Sequence, residues 1–422
     1  AKVLPYSEIS SVMFVVSFIL SILYYFAAKS NDRTQQILQR ELSILPKRST
    51  HPAGKMCARR AFVRDTRRTL VFSVRFCYNE RAQGSSPRAM PPHPCGGETD
   101  PRAARVPKNM DINKYDPKFK LRRRDLLGLT DLTSEEIFEL LYAAKAMKKK
   151  FRMRENSTLL RGKTVALLFG NASTRTRVSF EMGIRQMSGD YIYLSKDETQ
   201  LSRGESLKDT AAMLGRYGLS AVVLRSLTEA QTHEFASYSD IPVINGITEV
   251  SHPLQILSDL FTIWEVKGRL DNLKLAYIGD GNNIANSLIM GCSKVNMDVA
   301  IASPHGYSPA RSVVERAMQY GDVLITDDIA AAVHDADVVY TDVFISMNEE
   351  DDEEKKHILS RYRVTPEVMA LAKPDAVFMH CMPVHRGEEV AAEVVDGPQS
   401  ICYDQAENRL HVNKAALALL VK

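Results

Sequence analysis

Residues 163–187 read KTVALLFGNASTRTRVSFEMGIRQM, and their pattern is the clearest indication of the fold class. The first seven residues form a short apolar run, which is typical of a strand buried on both faces. A turn of small residues follows, and apolar residues at helical spacing then predict a helix over residues 178–187. A buried strand that leads directly into a helix is the repeating unit of a parallel α/β sheet.

The junction between this strand and helix has the composition of an anion site. Backbone N–H groups and the positive end of the helix dipole face the junction, and the hydroxyls of Ser173 and Thr174 add donors. Arg175 offers a planar guanidinium that matches phosphate oxygens. The simpler alternative is that Ser173 only caps the helix and that the arginines are solvated.

The same alternation of strands and helices continues in both directions. Residues 133–136 (TSEE) predict the capped start of a helix, and a second series begins after the predicted helix 255–267 and the turn at Gly268. Further helices are expected over residues 309–320 and 412–421, the last packing back on the first domain. The predicted strands are residues 163–169, 191–194, 221–224, 242–245, 273–278, 299–302, 323–325, 338–340 and 376–379.

The predicted fold class is therefore α/β, with two doubly wound parallel-sheet domains and a C-terminal helix, preceded by an unstructured N-terminal extension. The expected boundaries are residues 1–110 for the extension, 111–260 for the first domain and 261–422 for the second. No repeat of 20 to 50 residues is visible.

The extension differs in composition from the rest of the chain. Residues 9–28 carry no charge and are long enough to span a bilayer, whereas residues 29–110 are rich in Arg and Ser and have a net charge of +11. This order predicts targeting to an organelle, a plastid or a mitochondrion. Because the sequence begins with Ala1 rather than Met, an upstream or misjoined coding region is an open alternative, and the protein would then be cytoplasmic.

Composition and charge limit the function of the remaining body. The whole chain is 45% hydrophobic and 25% charged, which is ordinary for a globular protein. Residues 111–422 carry a net charge of −7, which argues against nucleic acid as a partner, and this body is not expected to bind a membrane. The six cysteines form no C-x-x-C pair, so neither a disulfide scaffold nor a zinc ribbon is expected.

The sequence Ser-Thr-Arg-Thr-Arg at residues 173–177 resembles the carbamoyl phosphate signature of the aspartate/ornithine carbamoyltransferase family, and the resemblance extends from about Lys118 to the C-terminus. A second family motif is His252-Pro-Leu-Gln255, in which Leu254 replaces the usual smaller residue. The resemblance implies that residues 111–260 bind carbamoyl phosphate. The residues implied in that binding are Ser173, Thr174, Arg175, Thr176, Gln200, Arg225, His252, Gln255, Cys381, Met382 and Arg409.

Two motifs of the second domain resemble the branch of the family that uses ornithine. Residues 342–347 read DVFISM, and residues 380–383 read HCMP where that branch has His-Cys-Leu-Pro. The resemblance implies an ornithine site formed by Asn283, Asp342, Ser346 and Met347, and catalytic roles for Arg175, His252, Asp342 and Cys381. Two departures stand out: Asn348 replaces a glycine, and Met382 replaces a leucine.

The resemblance further implies transfer of a carbamoyl group to the side-chain amine of ornithine, in arginine biosynthesis or the urea cycle, by a homotrimer with the Gln200 loop at the subunit contact. No metal or organic cofactor is expected, since no His, Cys and carboxylate residues stand at ligand spacing. Another acceptor amine such as putrescine and a non-catalytic relative are the alternatives. A dinucleotide-dependent oxidoreductase is disfavoured, because the third glycine of the motif that begins at Gly279 falls on Ile284.

Overall fold

The computed structural model describes residues 57–58, 76–77, 111–155, 157–171, 173–225, 227–346 and 352–421. The chain divides into two compact units, residues 1–96 and residues 97–422. In the first unit the described strands Cys57–Ala58 and Phe76–Cys77 pair in antiparallel orientation. The predicted apolar segment 9–28, Met347 and Asn348 lie outside the described residues. No helix in the described part of the chain has the length and apolar character that a membrane span requires.

The first half of the second unit is a four-stranded parallel sheet. Its strands in chain order are β1 (Thr164–Phe169), β2 (Asp190–Ser195), β3 (Ala221–Arg225) and β4 (Val243–Ile247). Their order in the sheet is β2-β1-β3-β4, and Phe169 pairs with both Ser195 and Arg225, so the carboxyl ends of three strands are level. The helices of this half are α1 (Ser134–Arg152), α2 (Thr174–Gln186), α3 (Leu207–Arg216) and α4 (Glu229–Tyr238).

The second half is a five-stranded parallel sheet in the order β9-β8-β5-β6-β7. Its strands are β5 (Lys274–Ile278), β6 (Asp298–Ala302), β7 (Val323–Thr326), β8 (Val338–Thr341) and β9 (Val377–His380). The remaining helices are α5 (Pro253–Lys267), α6 (Asn283–Lys294), α7 (Arg311–Ala317), α8 (Ile329–Val333), α9 (Glu353–Leu359), α10 (Pro366–Met369), α11 (Ala392–Val395) and α12 (Cys402–Leu420). Short 3-10 helices cover Ile112–Lys114, Lys196–Glu198, Gln200–Arg203 and Ser360–Tyr362. The predicted fold class, with two parallel-sheet α/β domains, is confirmed.

The start of α1 follows directly from its sequence. The Thr133 hydroxyl accepts a hydrogen bond from the Glu136 N–H at 3.2 Å, and the Glu136 carboxylate accepts one from the Thr133 N–H at 3.0 Å. This reciprocal capping box satisfies two backbone donors that the first turn of a helix leaves unpaired. The predicted helix start at residues 133–136 is therefore correct.

Helix boundaries differ from the prediction in α2, α5, α7 and α12; α5 begins two residues early, at Pro253, and α12 differs most. The predicted helix 412–421 begins ten residues earlier, at Cys402. Its first half carries Gln405, Asn408 and Arg409, which are buried and hydrogen-bonded rather than apolar, so the hydrophobic period gives no signal there. Helix α2 begins at Thr174 instead of residue 178, and α7 is shorter than the predicted 309–320.

One hydrophobic core connects the two sheets. It contains Val165 from β1, Leu260 from α5, Leu275 from β5 and Leu288 from α6, all buried. The predicted domain boundary at residue 260 falls inside α5, which ends at Lys267. Helix α12 also joins this core and packs against α1, α2 and α5, so the end of the chain covers the first sheet's helices as expected.

Candidate active site

A cleft of about 360 Å³ opens where the carboxyl ends of strands from both sheets converge. Ligands in open α/β sheets bind at this edge of the strands. Every predicted site residue lines the cleft except two: Gln200, which is exposed in its 3-10 helix, and Met347, which lies outside the described residues. The lining is formed by Ser173, Thr174, Arg175, Thr176, Arg225, Ile247, His252, Gln255, Asn283, Ile284, Asp342, Val343, Ser346, Cys381, Met382, Pro383 and Arg409.

The N-terminus of α2 forms one wall of the cleft. Ser173 has an extended backbone at the N-cap position, and its side chain makes no capping hydrogen bond. Ser173 thus occupies the cap position of α2, but its hydroxyl does not satisfy a backbone donor of the first turn. Arg175 enters the cleft, whereas Arg177 turns outward, pairs with Glu181 at 2.7 Å and stacks 3.8 Å above the ring of Tyr193.

Three guanidinium groups, those of Arg175, Arg225 and Arg409, meet around this wall. The acceptors that they reach are neutral: the Met382 carbonyl at 2.6 Å from Arg175 and the Thr176 hydroxyl at 3.4 Å from Arg225 and 3.1 Å from Arg409. Burial, followed by the charge of a neighbouring arginine, lowers the pKa of Arg225 and of Arg409 to about 10. Clustered cations with neutral acceptors favour a multiply charged anion between them.

His252 and Gln255 stand at the start of α5, beside the guanidinium groups. The backbone N–H of His252 donates to the Ser287 hydroxyl at 2.9 Å, and its buried Nδ1 finds no partner among the described residues. Burial lowers the pKa of His252 well below its usual range, and Arg409, Arg225 and Arg175 lower it further. The imidazole is therefore neutral at physiological pH. Gln255 accepts a hydrogen bond from Arg409 through its Oε1 atom.

The opposite wall carries a carboxylate and a thiol. The Cys381 Sγ donates to Asp342 Oδ1 at 2.9 Å, and the Asn282 side-chain amide donates to Asp342 Oδ2 at 2.8 Å. Burial, followed by the charge of Asp342, raises the pKa of the Cys381 thiol well above its usual range. The thiol is thus protonated and directs its hydrogen at a carboxylate that faces the cleft.

Sequence reasoning missed a buried pair behind Cys381. His380 and Glu389 are both completely buried, and His380 Nε2 lies 3.2 Å from Glu389 Oε1. The Met382 N–H donates to His380 Nδ1 at 2.9 Å, which assigns the ring hydrogen to Nε2. This pair fixes the backbone whose carbonyl Arg175 contacts. His380 stood in a quoted motif, but no local pattern distinguishes the buried Glu389 from the exposed Glu388.

The fold also assembles two groups of possible metal ligands that the sequence spacing did not reveal. Donor atoms of Asp342, His380 and Cys381 lie within 4.8 Å of one another, as do those of His385, Glu388 and Glu389. The first group forms because β8 and β9 are adjacent, so residues 342 and 380 meet although they are far apart in sequence.

Fold and cleft together define a two-domain α/β protein whose cleft gathers cationic and hydroxyl donors at a helix N-terminus and a carboxylate and a thiol opposite them. Residues 124–265 match the family described as aspartate/ornithine carbamoyltransferase, carbamoyl-P binding domain. Residues 271–420 match aspartate/ornithine carbamoyltransferase, Asp/Orn binding domain. The chain belongs to the aspartate/ornithine carbamoyltransferase family.

Relatives with assigned names support the same conclusion. The chain is 49% identical over 303 residues to an ornithine carbamoyltransferase of Caldicellulosiruptor saccharolyticus, covering 70% of this chain and 98% of the relative. It is 47% identical over 306 residues to that of Bacillus subtilis, covering 71% and 94%. Among solved structures, the Pyrococcus furiosus ornithine carbamoyltransferase matches with a TM-score of 0.68 and 45% identity, over 71% of this chain and 97% of that one. A mitochondrial enzyme from Coccidioides immitis has a TM-score of 0.65 at 34% identity, over 71% and 97%.

Proposed function

We propose that this protein is an ornithine carbamoyltransferase, which transfers the carbamoyl group of carbamoyl phosphate to the side-chain amine of L-ornithine. The products are L-citrulline and phosphate, in arginine biosynthesis or the urea cycle. The observation that carries the proposal is the cleft itself, with three guanidinium groups on one wall and an acidic, amide-bearing wall opposite. One of the similar proteins, from Pyrococcus furiosus, is named an anabolic ornithine carbamoyltransferase.

In this proposal the phosphate of the first substrate occupies the N-terminus of α2. The hydroxyls of Ser173, Thr174 and Thr176 and the guanidinium groups of Arg175 and Arg225 supply its donors. Arg409 adds a third positive charge from α12. Binding of the dianion reduces the mutual repulsion of these three guanidinium groups.

The carbamoyl group then lies between Arg175, His252 and Gln255. The neutral imidazole of His252 can donate a hydrogen bond to the carbonyl oxygen without titrating. Gln255 Oε1, which already accepts from Arg409, has a second lone pair for the carbamoyl NH2 group. Donors aimed at an oxygen that gains negative charge in a tetrahedral intermediate are worth about 3 kcal/mol each.

The ornithine amine approaches from the wall of Asp342 and Cys381. It attacks as the free base: its nitrogen forms a bond to the carbamoyl carbon, the bond from that carbon to the phosphate oxygen breaks, and the amine proton is released. The Asp342 carboxylate, which accepts from the thiol, is the base within reach. Asn283 and Ser346, which line the cleft, hold the amino acid end of ornithine together with Met347. Met382 remains on the carbamoyl phosphate side, where its carbonyl accepts from Arg175.

The acceptor is tested by offering ornithine, aspartate and putrescine separately with carbamoyl phosphate. We expect rapid formation of citrulline from ornithine and turnover at least about a hundredfold slower with the other two amines. Faster carbamoylation of putrescine would support the alternative acceptor. Absence of turnover with all three amines would support a non-catalytic relative.

The proposal extends to a homotrimer. Strand β2 is one edge of the first sheet and carries the exposed Ile192. Val178 and Met182 are exposed apolar residues on α2, the helix that packs on this edge. Exposed Gln200 follows β2 and would complete the site of a neighbouring subunit. Light scattering should give three times the chain mass. Met182→Glu should lower both mass and activity, whereas Leu324→Glu, at an exposed position of β7, should change neither; a fully active monomer would contradict the proposal.

Targeting to an organelle is also proposed, on the composition of residues 1–110 alone. A fluorescent fusion that carries only these residues behind a start Met should enter a plastid or a mitochondrion. Diffuse cytosolic fluorescence would favour the alternative, a cytoplasmic enzyme with a misjoined upstream region.

A further inference from the structure

Asp259 is a buried carboxylate that the mechanism above does not use. It lies on α5 one helical turn after Gln255, and it is completely buried. The Gln255 Nε2 and the Gln405 Nε2 each donate to Asp259 Oδ1 at 2.8 Å, and the Tyr340 hydroxyl donates to Asp259 Oδ2 at 3.0 Å. Three neutral donors from three different elements therefore converge on this one carboxylate.

These contacts fix the orientation of the Gln255 amide. Asp259 Oδ1 accepts from Gln255 and from Gln405, so the atom of Gln255 that faces it is the NH2 group. A guanidinium only donates, so the atom that faces Arg409 must be the carbonyl Oε1. If the amide were rotated by 180°, its NH2 group would face the donors of Arg409 and its Oε1 would face the oxygens of Asp259. Gln255 thus has a single allowed orientation.

The same carboxylate links α5 to the other wall of the cleft. Gln405 donates through Nε2 to both Asp259 and the Tyr340 hydroxyl, at 2.8 and 3.0 Å. Its Oε1 accepts from the backbone N–H of His380 at 3.0 Å. His380 directly precedes Cys381 in the chain, so one chain of hydrogen bonds reaches from the carbamoyl side to the amine side.

A contribution to folding stability does not explain why position 259 carries a carboxylic acid. Desolvation by burial raises the pKa of Asp259 to about 7, although its three donors and Arg409 lower it. A shift of that direction means that folding disfavours the charged form. An apolar residue of similar volume generally costs a protein core less than a buried charge.

We propose that Asp259 is a positioning residue for carbamoyl recognition: it holds the amide of Gln255 so that Oε1 is presented to the carbamoyl NH2 group. The inference rests on the proposed function, because that function assigns the carbamoyl group to Gln255. The hydroxyl and guanidinium donors of α2 and β3 hold the phosphate end of the substrate, and Asp259 contacts none of them. Arg409, the third cation, is linked to Asp259 only through Gln255 and through charge. Removal of Asp259 therefore acts on one end of the substrate and leaves the other.

The test compares two ligands in calorimetric titrations of the full chain. Phosphonoacetamide is a stable analogue that carries both the carboxamide and the phosphonate, whereas inorganic phosphate lacks the carboxamide. In Asp259→Asn, the analogue should bind about tenfold more weakly, while the affinity for phosphate should change less than about twofold. Gln255→Leu should have a similar effect, and the double variant should be no weaker than Gln255→Leu alone, because the two residues act in series.

Ser258→Ala is the matched control. Ser258 is equally buried on the same helix and donates only to the Leu254 carbonyl at 2.7 Å, so both ligands should bind as in the unmodified chain. If Asp259→Asn fails to fold, Tyr340→Phe removes one donor from the same carboxylate and should weaken the analogue by about threefold, again with phosphate unchanged.

Equal losses for both ligands, or additive losses in the double variant, would overturn the inference. The assay also separates it from the proposed function. If the unmodified chain binds the analogue but forms no citrulline from ornithine, the acceptor is wrong while a selective Asp259→Asn defect still supports the positioning role. If the unmodified chain binds phosphate but not the analogue, the carbamoyl assignment and this inference both fail.

Discussion

Arg175 crosses the cleft, since it starts on α2 and donates to the Met382 carbonyl that follows β9. We expect Arg175→Lys to lower kcat/KM for carbamoyl phosphate by about 100-fold to 1,000-fold, because lysine lacks the planar fork that contacts phosphate and carbonyl together. The melting temperature should change by less than about 4 °C, since the residue is not part of the apolar core. Steady-state kinetics and calorimetry measure both quantities.

Arg177→Lys is the control for that variant. Arg177 belongs to the same motif and helix, but its guanidinium faces outward and pairs with Glu181. Its replacement should leave kcat/KM within about twofold, as expected for an exposed ion pair. Equal defects in the two variants would show that Arg175 acts through the helix rather than through the substrate.

The pH dependence should follow the ornithine ammonium. Burial keeps the pKa of His252 well below the neutral range and that of Cys381 well above it, so neither group titrates between pH 6 and pH 8. Asp259, whose pKa burial raises to about 7, lies on the carbamoyl side, so the ornithine dependence is measured at saturating carbamoyl phosphate. The free-base fraction of an amine with a reference pKa near 10.4 rises tenfold per pH unit. We expect kcat/KM for ornithine to rise about tenfold per unit over this range. An inflection between pH 6 and pH 7 would mean that a protein group titrates instead.

Cys381 should affect one substrate more than the other. In Cys381→Ser the hydroxyl can still donate to Asp342, but it is smaller and places its oxygen differently. We expect KM for ornithine to change by at least about fivefold and KM for carbamoyl phosphate by less than about twofold. If only KM for carbamoyl phosphate changes, Cys381 acts on that substrate, and its placement on the ornithine side of the cleft is wrong.

The sequence motifs identified the individual residues that line the cleft. They did not identify the buried residues that position those side chains. Ser173, Arg175 and His252 stand in short patterns whose chemistry is readable from residue type. Glu389 and Asp259 act through contacts with residues of other elements, and burial determines their role. Such contacts arise from tertiary packing, so no local pattern contains them.

Helix α6 combines a structural and a binding role in one residue. Asn282 caps it by accepting from the N–H groups of Ile284 and Ala285 at 2.9 and 3.2 Å, and its amide donates to Asp342. Asn282→Ala should lower the free energy of unfolding by about 1 kcal/mol through loss of the cap. It should also raise KM for ornithine, because Asp342 loses a donor. Denaturant titration and kinetics give the two effects separately.

Asn282→Asp separates the two roles. Its carboxylate can still cap α6, but it places a second negative charge beside Asp342. KM for ornithine should therefore rise, while the free energy of unfolding should stay close to that of the unmodified chain, because the helix cap remains. An unchanged KM for ornithine in both variants would contradict a role for Asn282 in orienting Asp342.

Elements were predictable where the chain is apolar and not where it is polar. The strands appeared as short apolar runs, and each begins and ends within two residues of its prediction. The first half of α12 was missed because its buried residues are Gln405, Asn408 and Arg409. Their partners lie on α1, α2, α5 and the second sheet. A polar face that is buried by hydrogen bonding looks like a solvated face in a sequence.

For the whole molecule, residues 111–421 contain both sheets and all described residues of the cleft. A chain that begins at residue 111 behind a start Met should keep kcat and KM within about twofold of the full chain, because it retains every described residue of the cleft. A loss of activity that refolding does not restore would show that residues 1–110 contribute to the catalytic body.

The position of α12 has a consequence for biosynthesis. The ribosome makes residues 402–420 after every element that they cover, so α1, α2 and α5 leave the exit tunnel with an uncovered apolar face. Arg409 arrives with α12, so a nascent chain cannot assemble the full set of cationic groups before residues 402–420 have been made. Chains that terminate before α12 would expose the apolar surface that Val412, Ala416 and Leu420 normally cover. Chaperones and proteases recognise surfaces of this kind.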